Sequence, residues 1–217
     1  MTWDWGYALE ILPDLLTAFV RFTLVATVLG TLVGAALGLV FAVVRRARVP
    51  VLAPVVGGFI EFVRSTPLLV QLFFLFYVLP LAGITLPALT TGVIGLGVHY
   101  ACYYAEVYRA GIDGVPKGQW EACTALSMPP RYTWQRVVLP QAVRRVLPAL
   151  GNLVISMFKE TPFLALITVP EMVQRSQSIG GASFRYLEPI TLAGLIFLAA
   201  SYPTAIALRR LETRLGR

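Results

Sequence analysis

The sequence predicts an all-α membrane protein, a single domain over residues 1–217 with five transmembrane helices and one cytosolic helix–turn–helix. Hydrophobic residues make up 57% of the 217 residues and charged residues only 13%, which is too apolar for a soluble domain. The apolar residues also fall into five long runs, each near or above the roughly 20 residues that a helix needs to cross a bilayer. We therefore predict spans at residues 15–44, 52–79, 88–108, 141–167 and 189–208.

The basic residues give the predicted orientation. Lys and Arg are concentrated in the loops on one side of the predicted bundle, whereas the loops on the other side hold only Arg175 and Arg185. Cytosolic loops carry the excess of positive charge in membrane proteins, so we expect the N-terminus outside and the C-terminus in the cytosol. The same rule accounts for the net charge of +7 without a nucleic-acid partner.

The first span contains a long run without charge, residues 22–44, and a regular stripe of glycine. Gly30, Gly34 and Gly38 recur every four residues and so lie on one helical face. Small residues at this spacing let two membrane helices approach closely. We predict helix packing for this stripe in preference to a role in binding a solute.

The second apolar region, residues 52–79, is longer than a straight span needs. Either its first part lies at the membrane interface or the helix is tilted. Glu61 and Arg64 lie three residues apart on one helical face and are able to pair, and Pro67 frees a backbone carbonyl one turn back. Because charges within a membrane mark functional sites, this pair is either a solute-binding element or a structural ion pair.

Residues 109–140 form the longest polar interruption of the chain, on the predicted cytosolic side. A short helical pattern at residues 119–126 is stopped by the two prolines at 129–130, and a second pattern at residues 132–139 is predicted to end at Pro140. Loops that only connect two elements usually have about 4–6 residues. A much longer loop with helices of its own indicates a surface that contacts a partner.

The fourth span carries charge within the membrane, at Lys159 and Glu160. Lys159 lies 14 residues after Arg145, or roughly 21 Å along a helix, which is deep in the bilayer. Pro162 follows Thr161 and is predicted to break the helix there. Broken helices with polar groups at membrane depth form the binding sites of transporters; the alternative is an internal ion pair that joins two helices.

Other kinds of chemistry find no support in the sequence. The two cysteines, Cys102 and Cys123, have no metal-ligand spacing. The phosphate-binding pattern G-x-x-x-x-G-K-[ST] is absent. The single histidine, His99, is expected to be packed and hydrogen-bonded within the third span rather than to act as a ligand. We predict no catalytic residue, no metal site and no cofactor bound by this chain.

The cytosolic loop resembles the E-A-A loop of ABC importer permeases. The chain has Glu-Ala-Cys at residues 121–123, Ala-Leu-Ser at residues 125–127 and Val-Leu-Pro at residues 138–140. It departs from the family pattern at Cys123, where the family has Ala, and at Ser127, where the family has Gly. Glycine tolerates a positive φ and serine does so only at a cost, so the turn geometry at Ser127 is open.

Other segments resemble the polar amino acid uptake branch of these permeases, and the resemblance covers nearly the whole chain. They are residues 61–71, 104–112, 147–152 and 156–162, with Pro162 where that branch has Ser. Within the branch, the chain is similar to permeases for amino acids or for the compatible solutes ectoine and hydroxyectoine.

The resemblance implies a permease of the bacterial inner membrane that imports a small zwitterion by alternating access. Its implied partners are a dimeric ATP-binding subunit that holds ATP and Mg²⁺, a second permease subunit that is identical or homologous, an extracellular or periplasmic solute-binding protein, and membrane lipid. The predicted solute-binding residues are Glu61, Arg64, Lys159, Glu160 and Thr161, and the predicted coupling residues are Glu121, Ala122, Ser127, Leu139 and Pro140.

Two other classes of protein are alternatives to an ABC importer permease: a secondary transporter, and a membrane scaffold or enzyme. An ion-coupled secondary transporter would show an inverted repeat and has no use for a cytosolic helix–turn–helix. A membrane enzyme would show a reactive polar cluster, and a membrane scaffold would have spans without charge. The sequence has no such cluster, and its predicted spans do contain charged residues.

Overall fold

The computed structural model describes residues 3–215, and within them the fold is all-helical, as predicted. The described helices are α1 (Trp5–Arg46), α2 (Leu52–Arg64), α3 (Leu68–Ala82), α4 (Ala88–Asp113), α5 (Lys117–Ala125), α6 (Pro130–Ile167), α7 (Met172–Ser183) and α8 (Leu187–Leu215).

Helix α1 begins well before the first predicted span. It starts at Trp5 instead of residue 15, because the Asp4 side chain accepts hydrogen bonds from the backbone N–H groups of Gly6 and Tyr7 and so caps the helix. Its 42 residues extend about 63 Å, roughly twice the hydrocarbon thickness of a bilayer. The helix is therefore longer than a membrane crossing requires. Its N-terminal part contacts α7, where Arg175 pairs with Asp14 at 2.6 Å.

The second predicted span, residues 52–79, is a pair of helices and not one tilted helix. Helices α2 and α3 are bent by 104° at the short break between them. Pro67 has no backbone N–H to continue the helix, and it stands directly before α3 in an extended conformation. The bend brings polar residues of the break against the bundle.

Helix α4 is the central helix of the bundle. Within residues 3–215, α1, α6 and α8 are long and apolar enough to cross a membrane, and the bent α2–α3 pair is a fourth candidate. The third predicted span lies in α4, which has 26 residues but is not in that group. Its buried face carries small and polar residues, because it meets other helices instead of lipid. The buried residues include Thr91, Gly95, Gly97 and His99.

The glycine stripe of α1 lies against α4. A Cβ atom at Gly34 would approach the carbonyl oxygen of Gly97 to 3.2 Å, and one at Gly38 would approach Tyr104 Cβ to 2.6 Å and the carbonyl oxygen of Ala101 to 2.8 Å. Gly30 faces Met157 of α6 in the same way, at 3.0 Å. The two helices can come this close only because the stripe has no side chains.

We expect Gly38→Ala to destabilise the permease fold by about 1–3 kcal/mol, because the backbone atoms in its way cannot move as a side chain can. Thermal unfolding in detergent measures this change. The matched control is Gly58→Ala in α2, where an added Cβ has no atom within 4 Å. Equal melting temperatures for the two variants would contradict the packing role of the stripe.

Helix α6 runs without interruption from the loop of residues 109–140 into the bundle. The prediction that the second loop helix ends at Pro140 is wrong, since α6 is continuous over 38 residues. A wider π-helical turn, Thr133–Val138, directly precedes the proline, and such turns absorb a local interruption of the hydrogen-bond ladder. At the other end the regular helix stops at Glu160, and a tighter 3₁₀ segment, Thr161–Ile167, follows. Pro162 therefore changes the kind of helix but does not produce a sharp bend.

Candidate functional site

A polar cavity lies where the break between α2 and α3 meets α4 and the end of α6. Its volume is about 360 Å³, which is within the usual range for small-molecule sites. The α2–α3 region, α4 and α6 all contribute polar or charged side chains. The lining residues are Arg64, Ser65, Thr66, Pro67, Leu68 and Leu69 from the break and the helix ends beside it, His99 and Tyr103 from α4, and Glu160 and Phe163 from α6.

Glu160 supplies the negative charge of this cavity. It is the last residue of the regular part of α6, and its side chain is half-buried. The hydroxyl of Tyr100 donates a hydrogen bond to Glu160 Oε2 at 2.9 Å. This contact holds the carboxylate against α4 and leaves the other oxygen, Oε1, without a hydrogen-bond partner among the described residues.

Arg64 supplies the positive charge, and its partner is not the one predicted. It is the last residue of α2, and its guanidinium lies over the ring of Tyr103, 5.4 Å from the centroid. Among the described residues, no ion pair joins Arg64 to Glu61, so the alternative of a structural pair between them is wrong. Glu61 is exposed and does not line the cavity. The stacking of arginine on an aromatic face replaces the local pair.

Two other predicted solute-binding residues lie away from this cavity. Lys159 precedes Glu160 by one residue, a rotation of about 100° around the helix, and it lines a different cavity, of about 510 Å³, against α7 and α8. Thr161 is fully buried, and its Oγ1 donates to the carbonyl oxygen of Phe158 at 2.7 Å. That hydrogen bond stabilises the helix end and leaves Thr161 no contact with a solute.

Sequence reasoning missed a polar link beside the cavity. Gln71 Nε2 lies 2.8 Å from the carbonyl oxygen of Val63 and 3.1 Å from that of Thr66, so it donates to backbone carbonyls at the end of α2 and within the break. Gln71 Oε1 lies 3.0 Å from His99 Nδ1. The available signal was a single amide within an apolar run and the only histidine of the chain, each of which needs a partner when buried.

At the end of the bundle that carries residues 109–140, an aromatic cluster joins α5 to the other helices. The rings of Trp120 and Trp134 meet edge to face with centroids 5.4 Å apart. The Arg46 guanidinium lies 5.7 Å from the first ring centroid and 5.1 Å from the second, and it pairs with Asp113 at 3.0 Å. Through Arg46 and Asp113 the ends of α1 and α4 are attached to α5 and to the start of α6.

The opposite face of α5 has no partner within the described residues. Cys123 is buried beneath the helix, whereas Glu121 and Ala122 are exposed, and Leu126 just beyond the helix is 74% exposed. Leu139 and Pro140 are also exposed, while their neighbour Val138 packs under the loop. The predicted coupling residues thus form an outward surface of mixed apolar and acidic character.

Residues 11–217 match the family described as "Binding-protein-dependent transport system inner membrane component". The chain belongs to this family. It is therefore a permease subunit of a membrane transporter and not an enzyme, and membership implies an ATPase partner and another permease. The permease contains no group of three or more potential metal ligands within residues 3–215.

Curated relatives cover the permease almost end to end. It is 44% identical to the probable amino-acid ABC transporter permease protein y4tG of Sinorhizobium fredii, over all of this chain and 95% of that protein. It is 33% identical to the L-cystine transport system permease protein TcyB of Bacillus subtilis, over 98% of this chain and 92% of that protein. It is also 33% identical to the glutamine transport system permease protein GlnP of Escherichia coli, over 99% of both chains.

Solved structures share the fold. The permease superposes on a chain of an amino acid ABC transporter crystallised with histidines with a TM-score of 0.92 and 32% identity, covering 99% of this chain and 100% of that chain. It superposes on a chain of the MetNI methionine ABC transporter, in an inward-facing conformation, with a TM-score of 0.75 and 20% identity, covering 94% and 97%. Because the identity to the MetNI chain is only 20%, that similarity shows a shared fold and nothing about the solute.

Ser127 of the permease keeps the left-handed turn that glycine usually provides. Its φ is 49°, its N–H donates to the carbonyl oxygen of Thr124 at 2.9 Å, and the N–H of Met128 donates to that of Cys123 at 3.0 Å. This is the Schellman pattern, which ends a helix with one left-handed residue. The departure from the family pattern at Ser127 therefore preserves the turn and adds a conformational cost.

We expect Ser127→Gly to stabilise the loop of residues 109–140 by about 1 kcal/mol, because glycine adopts this φ without the steric cost that Cβ imposes. Proteolysis of the loop in the purified complex measures the effect as slower cleavage. Ser127→Ala is the control, since it removes the hydroxyl but keeps Cβ, and it should give no protection. Equal protection by both substitutions would show that the hydroxyl, and not the backbone, carries the cost.

Proposed function

We propose that this permease imports a small zwitterionic solute, a polar amino acid or an ectoine-type compatible solute, by alternating access driven by a partner ATPase. The observation that carries the proposal is the placement of Arg64 and Glu160 on one cavity. A zwitterion needs a cation for its carboxylate and an anion for its ammonium. The α2–α3 break supplies the first and the end of α6 supplies the second.

The two charges are arranged to receive a solute instead of neutralising each other. Within the described residues no ion pair joins them; Arg64 stacks on Tyr103 and Glu160 accepts from Tyr100. Charges at membrane depth are costly unless they are paired. A zwitterion placed between them pairs both at once, which gives the cavity a strong preference for solutes with both charges.

The names of the relatives favour an amino acid as the solute. Their names specify glutamine, L-cystine and arginine, and the structurally similar transporter was crystallised with histidines. Ectoine carries the same pair of opposite charges, so the cavity alone does not separate it from amino acids. A panel that contains both classes is therefore the appropriate test.

We propose that movement of the exposed face of α5, on the cytosolic side in the proposed topology, drives transport. In this scheme ATP and Mg²⁺ bind to the partner ATPase, and the exposed face of α5 with Glu121 docks on it. Supporting this scheme, α6 is one continuous helix from Pro130 to Glu160, about 45 Å long. It connects the aromatic cluster of Trp120, Trp134 and Arg46 directly to the carboxylate of the cavity. A displacement of α5 would therefore reach the solute site through a rigid element.

The proposed topology places the N-terminus outside and the C-terminus in the cytosol, with a solute-binding protein delivering solute to the outer side. The alternative, an ion-coupled secondary transporter acting without an ATPase, is less well supported because the chain belongs to a family of binding-protein-dependent permeases. Such a transporter would also leave the outward face of α5 without a purpose.

The test is ATPase activity of the complex reconstituted in liposomes, with and without loaded binding protein. The panel contains the twenty proteinogenic amino acids, L-cystine, ectoine and hydroxyectoine. We expect stimulation by one solute or a small related group, together with uptake of the same solute. Uptake that continues with an inactivated ATPase would overturn the proposal in favour of the secondary transporter.

A further inference from the structure

The link between Gln71 and His99 fixes the hydrogen-bonding character of one wall of the cavity. Gln71 Nε2 has three neighbours, the backbone carbonyl oxygens of Val63 and Thr66 at 2.8 Å and 3.1 Å and the Thr66 hydroxyl at 2.8 Å; that hydroxyl donates its own proton to a backbone carbonyl and so accepts from the amide. Carbonyl oxygens only accept hydrogen bonds, so the amide nitrogen must face them. The amide oxygen of Gln71 therefore faces His99 Nδ1, at 3.0 Å.

This orientation determines the tautomer of His99. An amide oxygen only accepts, so Nδ1 of His99 carries the proton, and in a neutral ring Nε2 is then an acceptor. The ring is neutral for two reasons: His99 is only 7% exposed, and no carboxylate pairs with it among the described residues. A buried charge without a paired partner is strongly disfavoured.

The acceptor on Nε2 has no hydrogen-bond partner within the described residues and keeps some accessible surface. His99 lines the cavity, and within residues 3–215 its Nε2 has no hydrogen-bond partner. Yet this atom is not among the fully enclosed polar atoms that lack a partner, which are Trp3 Nε1 and Tyr104 OH. An acceptor that is held rigidly, left unpaired and reachable from a cavity is suited to an N–H donor on a ligand.

We propose that His99 Nε2 accepts a hydrogen bond from the cationic nitrogen of the solute, beside Glu160, and that Gln71 is the positioning residue that sets the required tautomer. This inference rests on the proposed function. Its consequence concerns specificity: the site recognises a cation that bears N–H groups, as in a primary ammonium or the cyclic amidinium of ectoine, and it discriminates against quaternary ammonium.

The experiment measures equilibrium binding to the purified permease–ATPase complex without the binding protein, so that only the permease site contributes. Each radiolabelled member of the panel of amino acids and ectoines is tested on the wild type. The tightest ligand is then compared with its fully N-methylated derivative. A hydrogen bond to a charged group contributes about 1.5–3 kcal/mol, so the wild type should prefer the parent ligand by about tenfold or more.

In His99→Phe the preference for the parent ligand should fall by about tenfold, with the loss confined to the parent. An unchanged preference in this variant would overturn the role of His99. Absence of binding for every panel member in the wild type would instead overturn the proposed function, so the two failures are distinguishable. If His99→Phe does not assemble, His99→Gln is compared with His99→Asn: the longer amide reaches nearer Nε2 and should keep the preference, and equal results would contradict the assignment.

The role of Gln71 is tested with Gln71→Met, which preserves size and removes the amide. We expect the same reduced preference as in His99→Phe, and no additional loss when the two substitutions are combined, because both remove one interaction. Equal weakening of the parent ligand and its methylated derivative would assign Gln71 only to the structure of the bend, and would overturn its positioning role.

Discussion

Glu160→Gln should abolish solute uptake while the permease still assembles with its ATPase. The substitution keeps an oxygen that can accept the hydrogen bond from Tyr100 and removes only the negative charge that faces the cavity. Losing one partner of a buried charge pair costs about 2–5 kcal/mol, so the dissociation constant of the solute should rise on the order of 30- to 4,000-fold. Equilibrium binding and uptake in liposomes measure this change.

The matched control for this substitution is Glu61→Gln. Glu61 is a carboxylate in the neighbouring helix α2, but it is exposed and does not line the cavity. Its neutralisation should leave binding and uptake close to wild type. If Glu61→Gln impaired binding as strongly as Glu160→Gln, the solute would have to lie along α2, and the cavity described here would not be its site.

Glu121→Lys should eliminate ATP-driven uptake by a different route. Glu121 is exposed on α5 and makes no contact within the described residues that would explain a need for its charge. A reversed charge in a docked interface replaces attraction with repulsion, which costs several kcal/mol. We expect solute binding to the permease to persist, while retention of the ATPase on purification and solute-stimulated ATP turnover are both lost.

Glu212→Lys in α8 is the control for charge reversal at the proposed cytosolic end of the chain. Its carboxylate has only a weak contact, with Asn152 at 3.4 Å, and it lies outside the α5 surface, so ATPase retention should be normal. Wild-type coupling in Glu121→Lys would contradict the docking role of α5. Loss of solute binding in that variant would indicate a general folding defect instead.

The sequence predicted those features that depend on local pattern. Apolar runs identified the long helices, the four-residue spacing located Gly34 and Gly38 on the face that meets α4, and Pro162 marked the point where α6 changes its helical form. The separation of Lys159 from Glu160 was also available, because adjacent residues on a helix face directions about 100° apart.

The remaining features depend on tertiary contacts that no local pattern contains. Spacing allowed a pair between Glu61 and Arg64, but α2 ends at Arg64 and its guanidinium instead meets Tyr103 from α4. The 104° bend decides that Arg64 reaches the same cavity as Glu160, and its angle is set by packing. At Pro140, a π-helical turn preserved a helix that proline alone was expected to end.

The most direct test of a zwitterion bound between Arg64 and Glu160 is a structure of the permease–ATPase complex determined at a solute concentration where radiolabel binding is saturated. We predict density for the solute in the cavity beside His99, with its carboxylate toward Arg64 and its cationic nitrogen toward Glu160. Solute density at any other position, with this cavity well resolved and free of solute, would contradict the account.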